Sequence, residues 1–180
     1  MSRNVIVAGF ACVFLAGCNN AGGGGSAAGG GGMPAGWNAT DACSIIDKAE
    51  MAGVMGAGVS DGVLSMVHEP DQATAGVSEC GYTLADGDRV SVLTRWSPVA
   101  DNTPESIATT RSVMADTLKA AGGPQVEDLS GVGKAAFFVP KINQLDVFLD
   151  DARMLVLTLP TSLDAADAKE KGLALVATAN

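Results

Sequence analysis

The sequence predicts an α+β domain, an antiparallel sheet with helices packed on it. Three observations carry that reading. Runs of strand-like segments alternate with single helical segments, in the order helix, strands, helix, strands, helix. Short polar turns join neighbouring strands, as hairpins require. A hairpin with an acidic turn, then a proline, then a helix occurs twice, over Val77–Ala121 and Gln144–Thr178, with turns at Asp86 and Asp150, 64 residues apart. The repetition suggests a duplicated αβββ unit.

The first helix opens at Thr40 or Asp41 as N-cap. It carries Cys43, Ile46, Ala49 and Gly53 on one stripe with Ile45 beside it, and stops at Gly56 and Gly58. Strands follow at Val63–Val67, Val77–Leu84 and Arg89–Ser97. In the third, Val90, Val92 and Trp96 alternate with Arg89, Ser91 and Arg95. Asp86-Gly87-Asp88 is the hairpin turn between the last two. Thr103-Pro104-Glu105 caps a second helix, with proline at the first helical position, that runs to Ala121 before Gly122-Gly123-Pro124. Its stripe of Ile107, Met114, Leu118 and Ala121 is thin and interrupted by Arg111. Three more strands are expected at Ala135–Val139, Gln144–Leu149 and Arg153–Leu159. The last is apolar on both faces and belongs inside the sheet. A helix from Ser162 or Leu163 to Thr178 ends the chain.

Ahead of this single domain, expected over residues 37–180, the chain has two other zones. After Arg3 an uncharged apolar run, Val5–Leu15, leads into Leu15-Ala16-Gly17-Cys18. Eleven helical residues span roughly 16 Å, short of a ~30 Å hydrocarbon core, so residues 1–17 are an export signal and not a membrane span. The run Leu15-Ala16-Gly17-Cys18 resembles the lipobox of bacterial lipoproteins, whose cysteine is acylated and becomes the first residue after cleavage. The alternative is an ordinary signal peptide cut elsewhere, with Cys18 a spare thiol. The resemblance implies lipidation at Cys18 and a membrane partner reached through the acyl chains, each buried methylene contributing ~0.8 kcal/mol. It also implies, from Asn19 after the lipidated position, the outer membrane where the cell has two. From Asn19 to Gly36 the composition is dominated by Gly, Ala, Asn and Ser, with four-glycine runs at Gly22–Gly25 and Gly29–Gly32. Such a segment buries too little apolar surface to offset its ordering entropy and reads as a flexible tether of about 25 Å root-mean-square reach.

Charge and residue inventory restrict function. With 20 acidic against 11 basic side chains the net charge is −9, and the absence of a basic patch argues against a nucleic-acid partner. One histidine, His68, and four cysteines leave little for a metal cage or a histidine-based triad. Cys12 leaves with the leader and Cys18 takes lipid, so Cys43 and Cys80 remain, an even pair in an exported domain that reads as a disulfide. A catalytic thiol or half of a metal site would need a neighbouring histidine or CxxC spacing, which neither cysteine has.

Further along the chain, Asp41-Ala42-Cys43-Ser44-Ile45-Ile46, then Ala49-Glu50 and Gly56, then Cys80-Gly81-Tyr82, then Gly131-Val132-Gly133-Lys134-Ala135-Ala136 resemble a group of small exported bacterial domains of unknown function. Many are lipoproteins, and similar domains serve as extracellular sensors of bacterial serine/threonine kinases. The likeness covers most of residues 41–178. Lys134 stands where that pattern has Asp, and no catalytic residues come with the resemblance.

Other motifs favour plain readings. Gly131-Val132-Gly133 precedes a strand where a phosphate loop needs a helix, and is expected to be a turn. His68-Glu69-Pro70 reads as an exposed loop more readily than as a general base. Asp86, Asp88, Asp150 and Asp151 would gather a cation only if the two hairpin tips met, and without an EF-hand framework they read as solvated turns. Trp96 and Tyr82 are expected as core anchors before ligand-groove aromatics. No catalytic, cofactor or metal residues are therefore assigned. The expected function is a non-enzymatic, lipid-anchored binding or accessory module contacting an envelope protein or cell-wall ligand. The alternative is an envelope enzyme or enzyme inhibitor using scattered carboxylates such as Glu69 and Asp71.

Overall fold

A computed structural model of the chain describes residues 32–179. The expected leader, Cys12, the lipidation site Cys18 and most of the tether lie outside the described residues. Met33, near the tether's end, packs against the domain, and its sulfur accepts a hydrogen bond from the Ala39 N–H at 3.4 Å.

The elements are a 3₁₀ turn at Ala42–Ser44, α1 Lys48–Met55, β1 Val63–His68, β2 Gly76–Thr83, β3 Arg89–Trp96, α2 Pro104–Ala120, β4 Glu127–Leu129, β5 Ala135–Val139, β6 Gln144–Phe148, β7 Arg153–Thr158 and α3 Ala165–Val176. All seven strands form one antiparallel sheet in the order β1-β2-β3-β7-β6-β5-β4. The chain builds from one edge to β3, crosses over with α2 to the far edge, and returns, so that β7 closes the middle. Its two apolar faces fit that central place, with Leu155 and Leu157 fully buried on one side and Met154 and Val156 on the other. This is the α+β architecture the sequence predicts.

One sheet face holds the main core. Tyr82, Val90, Val92, Leu145, Val147, Leu155 and Leu157 meet Ile46 and Met51 from the N-terminal segment and α1, and Ala168 and Leu175 from α3. Gly172 lets α3 approach closely, since a Cβ there would stand 3.1 Å from a Leu145 methyl. The opposite face receives only α2, whose Leu118 packs with Val126, Phe137, Val139 and Phe148. The meanders β1–β3 and β5–β7 flank the central β3–β7 pair symmetrically, as a duplicated unit would. The helices do not follow, because α1 and α2 lie on opposite faces.

The expected continuous first helix is broken into two pieces. Asp47 accepts from the Glu50 N–H at 2.9 Å and the Glu50 carboxylate accepts from the Asp47 N–H at 2.7 Å, a reciprocal capping box that starts α1 afresh. Just before it, the Ile46 carbonyl accepts from the Tyr82 hydroxyl at 2.5 Å instead of from a helical N–H. Burial, with the charges of Asp47, Asp41 and Glu50 added, pushes that phenol up to about 12. Cys43 and Cys80 are joined in a disulfide, Cα atoms 5.1 Å apart, that ties the 3₁₀ turn to β2. The short edge strand β4 is the one element absent from the sequence reading.

Candidate functional site

Two regions outside the main core gather chemistry. The first is a polar cluster where β3 ends and β7 begins. Asn102, 3% exposed, donates from Nδ2 to the carbonyls of Asp150 at 2.9 Å and Arg153 at 3.0 Å, and accepts from Arg95 at 3.3 Å. Lys134 donates to the Asn102 carbonyl at 2.6 Å and pairs with Asp151. Arg95 pairs with Asp101 at 2.5 Å, and that guanidinium holds the Asp101 carboxyl below the usual carboxylate range. For Asp150 burial pulls upward, but the N–H groups of Ala152 and Arg153 and the Arg153 guanidinium outweigh it and the carboxyl stays low. Arg153 also stacks over Trp37, 5.3 Å from the ring centre. These bonds brace the loops before α2 and before β7, and leave one Asp101 carboxylate oxygen, the Ser97 hydroxyl and the Trp37 indole N–H buried without a partner.

The second region is the half of the sheet that α2 leaves uncovered. The register sets Glu79, Leu93 and Val156 in one row across this face, with Ser91 and Thr158 in the row on one side and Val77 beside Arg95 in the row on the other, all half-buried. At its edge, β1 is exposed along its whole length, with Val63 at 65%, Met66 at 56% and Val67 at 50%. A bulge between Ser65 and His68, with Met66 at φ +48°, interrupts this edge and discourages regular pairing with another strand.

On the α2 face of the sheet lies Asp146, which the sequence pattern does not single out. It is 2% exposed, and the Gln144 side-chain amide donates to it at 2.8 Å. Burial drives its carboxyl up to about 6, with the Gln144 bond pulling the other way. In Gln144-Leu145-Asp146-Val147-Phe148 the alternation reads as a half-solvated strand, and only the crossover of α2 makes it a buried one.

The remaining predicted positions fall as follows. The acidic turns do not meet: Asp88 precedes the start of β3, whereas Asp150 and Asp151 sit at its other end. Gly131 at φ +78° and Gly133 at φ +57° form a bend, and a Cβ on Gly133 would lie 2.5 Å from the Phe148 carbonyl oxygen. His68 and Glu69 are exposed at the end of β1. Asp71 is held low by the N–H groups of Ala73 and Thr74 in a local turn. Tyr82 and Trp96 are core residues, 1% and 8% exposed.

The expectation that the chain carries no serine-nucleophile motif fails in spelling, since Gly58-Val59-Ser60-Asp61-Gly62 reads G-x-S-x-G. Here it leads from a helix into β1, the reverse of the strand-to-helix elbow that exposes a nucleophile. The Ser60 hydroxyl donates to the Asp61 carbonyl and accepts from the Thr83 N–H, and His68 stands at the far end of β1. The segment is a structural turn. Among the described residues no group of three His, Cys, Asp or Glu stands close enough to hold a metal, and no helix is long and apolar enough to cross a membrane. No protein-family model, curated protein or solved structure matches the chain.

Proposed function

We propose that the chain is an exported lipoprotein anchored through Cys18, whose domain works in the cell envelope as a non-enzymatic binding or accessory module. The observation that carries the reading is the half-covered sheet. One face is sealed by α1 and α3, while the other keeps Val77, Leu93 and Val156 only half-buried beside the exposed strand β1. A face that sets Leu93 and Val156 in one row with Glu79, and Val77 diagonally beside them, offers both apolar area and charge for a protein or ligand contact. The leader sequence and the glycine-rich tether support placing that surface a short reach above a bilayer, on the outer membrane of a two-membrane cell. Membrane attachment would run through the acyl chains on Cys18, and the partner would be an envelope protein or cell-wall ligand.

The test is crosslinking in living cells, with Cys18→Ser as the mislocalised control and mass spectrometry of what is captured. The reading expects Cys18→Ser to leave the membrane fraction and to lose a specific partner that the native protein captures. A variant that stays in the membrane fraction contradicts the anchor, and identical capture by both forms contradicts an envelope role.

A further inference from the structure

We propose that α2 is a pH-gated flap: its C-terminal half closes over the Asp146 carboxyl when that group is neutral and lifts when it ionises, uncovering Phe137, Val139 and Phe148. The uncovered residues would extend the open half of the sheet, although the flap does not depend on the binding role proposed above.

The geometry isolates Asp146. Across the sheet it stands between Phe137 and Val156, with Phe148 two residues on along the same face, and the two phenylalanines are 1% and 3% exposed. No cation faces it. From α2, Arg111 is committed to Asp128 through a bidentate pair, while Asp116 and Lys119 line the outer cleft. From β4 the nearest charge is Asp128 itself, in the row beyond Phe137. From β7 come Met154, Val156 and Thr158. Beyond it, β3 offers Arg95, held by Asp101, and β2 offers Glu79. An ionised Asp146 therefore keeps one amide hydrogen bond and no counter-charge under the closed helix, and water in the lifted one.

The helix is hung to swing. Its N-terminal end is fixed by the Asn102 bonds to Asp150 and Arg153 and by the Ser106 hydroxyl donating to the Asp101 carbonyl at 2.7 Å. Its C-terminal half rests on one buried side chain, Leu118, with Met114 and Ala115 half-buried beside it, on Arg111–Asp128, and on the Lys141 ammonium donating to the Ala121 carbonyl. Gly122 at φ +65°, Gly123 and Pro124 follow as a hinge, and a cleft of about 400 Å³ already separates this half from the Gly123–Val126 segment. With the closed carboxyl titrating near 6 and the lifted one near 3.8, the opening constant rises about tenfold from pH 5 to pH 7.5 by proton linkage.

Hydrogen exchange of the full chain at pH 5 and pH 7.5, corrected for intrinsic exchange, reads the flap directly. Amides of residues 111–121 should open about tenfold more at the higher pH, while those of β7 and α3 stay unchanged, and Asp146→Asn should abolish the difference. A pH-independent 111–121 segment, an undiminished effect in Asp146→Asn, or equal loss of protection throughout the molecule would each overturn the proposal. Carboxyl carbon NMR of the unaltered protein needs no variant: a midpoint near 6 for Asp146 supports the flap, and an ordinary one near 4 refutes it.

Discussion

Gly62 supports the disulfide by having no side chain. A Cβ there would stand 2.6 Å from the Cys80 sulfur, 2.9 Å from the Cys43 sulfur and 3.0 Å from the Tyr82 ring. Because the disulfide cannot rotate away, Gly62→Ala should destabilise the domain by about 1–3 kcal/mol of overpacking strain, seen as a lowered melting temperature. A variant that melts with the parent would show that this corner has slack. At Asp146 the folded pKa is raised, so the protonated form favours the native state. Stability from this group is fully present below about pH 4 and falls as pH rises to about 6. The loss amounts to at most about 3 kcal/mol in urea titrations. Asp101 and Asp150 have depressed values and act with the opposite sign, losing stability as pH falls through the acidic range, so the comparison with Asp146→Asn isolates the buried group.

At the level of elements, local chemistry was the reliable guide. Thr103-Pro104 places the start of α2, with the Thr103 hydroxyl accepting from the Ser106 N–H at 3.2 Å, and Asp86-Gly87-Asp88 turns the chain with Gly87 at φ +92°. The first helix is where two local signals compete. Its apolar stripe runs through from Cys43, but the Asp47-x-x-Glu50 pair restarts it, a signal readable in the sequence and outweighed there by the stripe. Asp47→Ala removes that box and should cost about 1 kcal/mol by denaturant unfolding, with α1 amides exchanging faster. β4 was illegible for a different reason: Glu127-Asp128-Leu129 has neither length nor apolar alternation, and only its pairing with Phe138, Phe137 and Ala136 makes it a strand.

For the whole molecule, the fold class follows from strand patterning, but the candidate surface does not. Which sheet face stays open depends on where α2 crosses, and a helix with a thin stripe interrupted by Arg111 does not announce that it covers only the β5–β6 side. The same crossover buries Asp146 and leaves Leu93 half-buried, residues with similar alternating neighbours. The disulfide, by contrast, was legible from the cysteines left once Cys12 and Cys18 were set aside with the expected leader and lipidation site. It closes a separation of 37 residues between the N-terminal segment and the sheet. Replacing Cys43 and Cys80 with serine should lower stability by roughly 4 kcal/mol, and both thiols should resist labelling in the unreduced protein.

The proposed contact surface is the half of the sheet left open beside β1. It is tested most directly by photo-crosslinking residues placed singly at Val77, Leu93 and Val156, with Thr109 and Val113 on the outer side of α2 as controls, in cells carrying the native leader. The account expects one partner captured from the sheet positions and not from α2. Capture from α2 alone, or equally from every position, would contradict it.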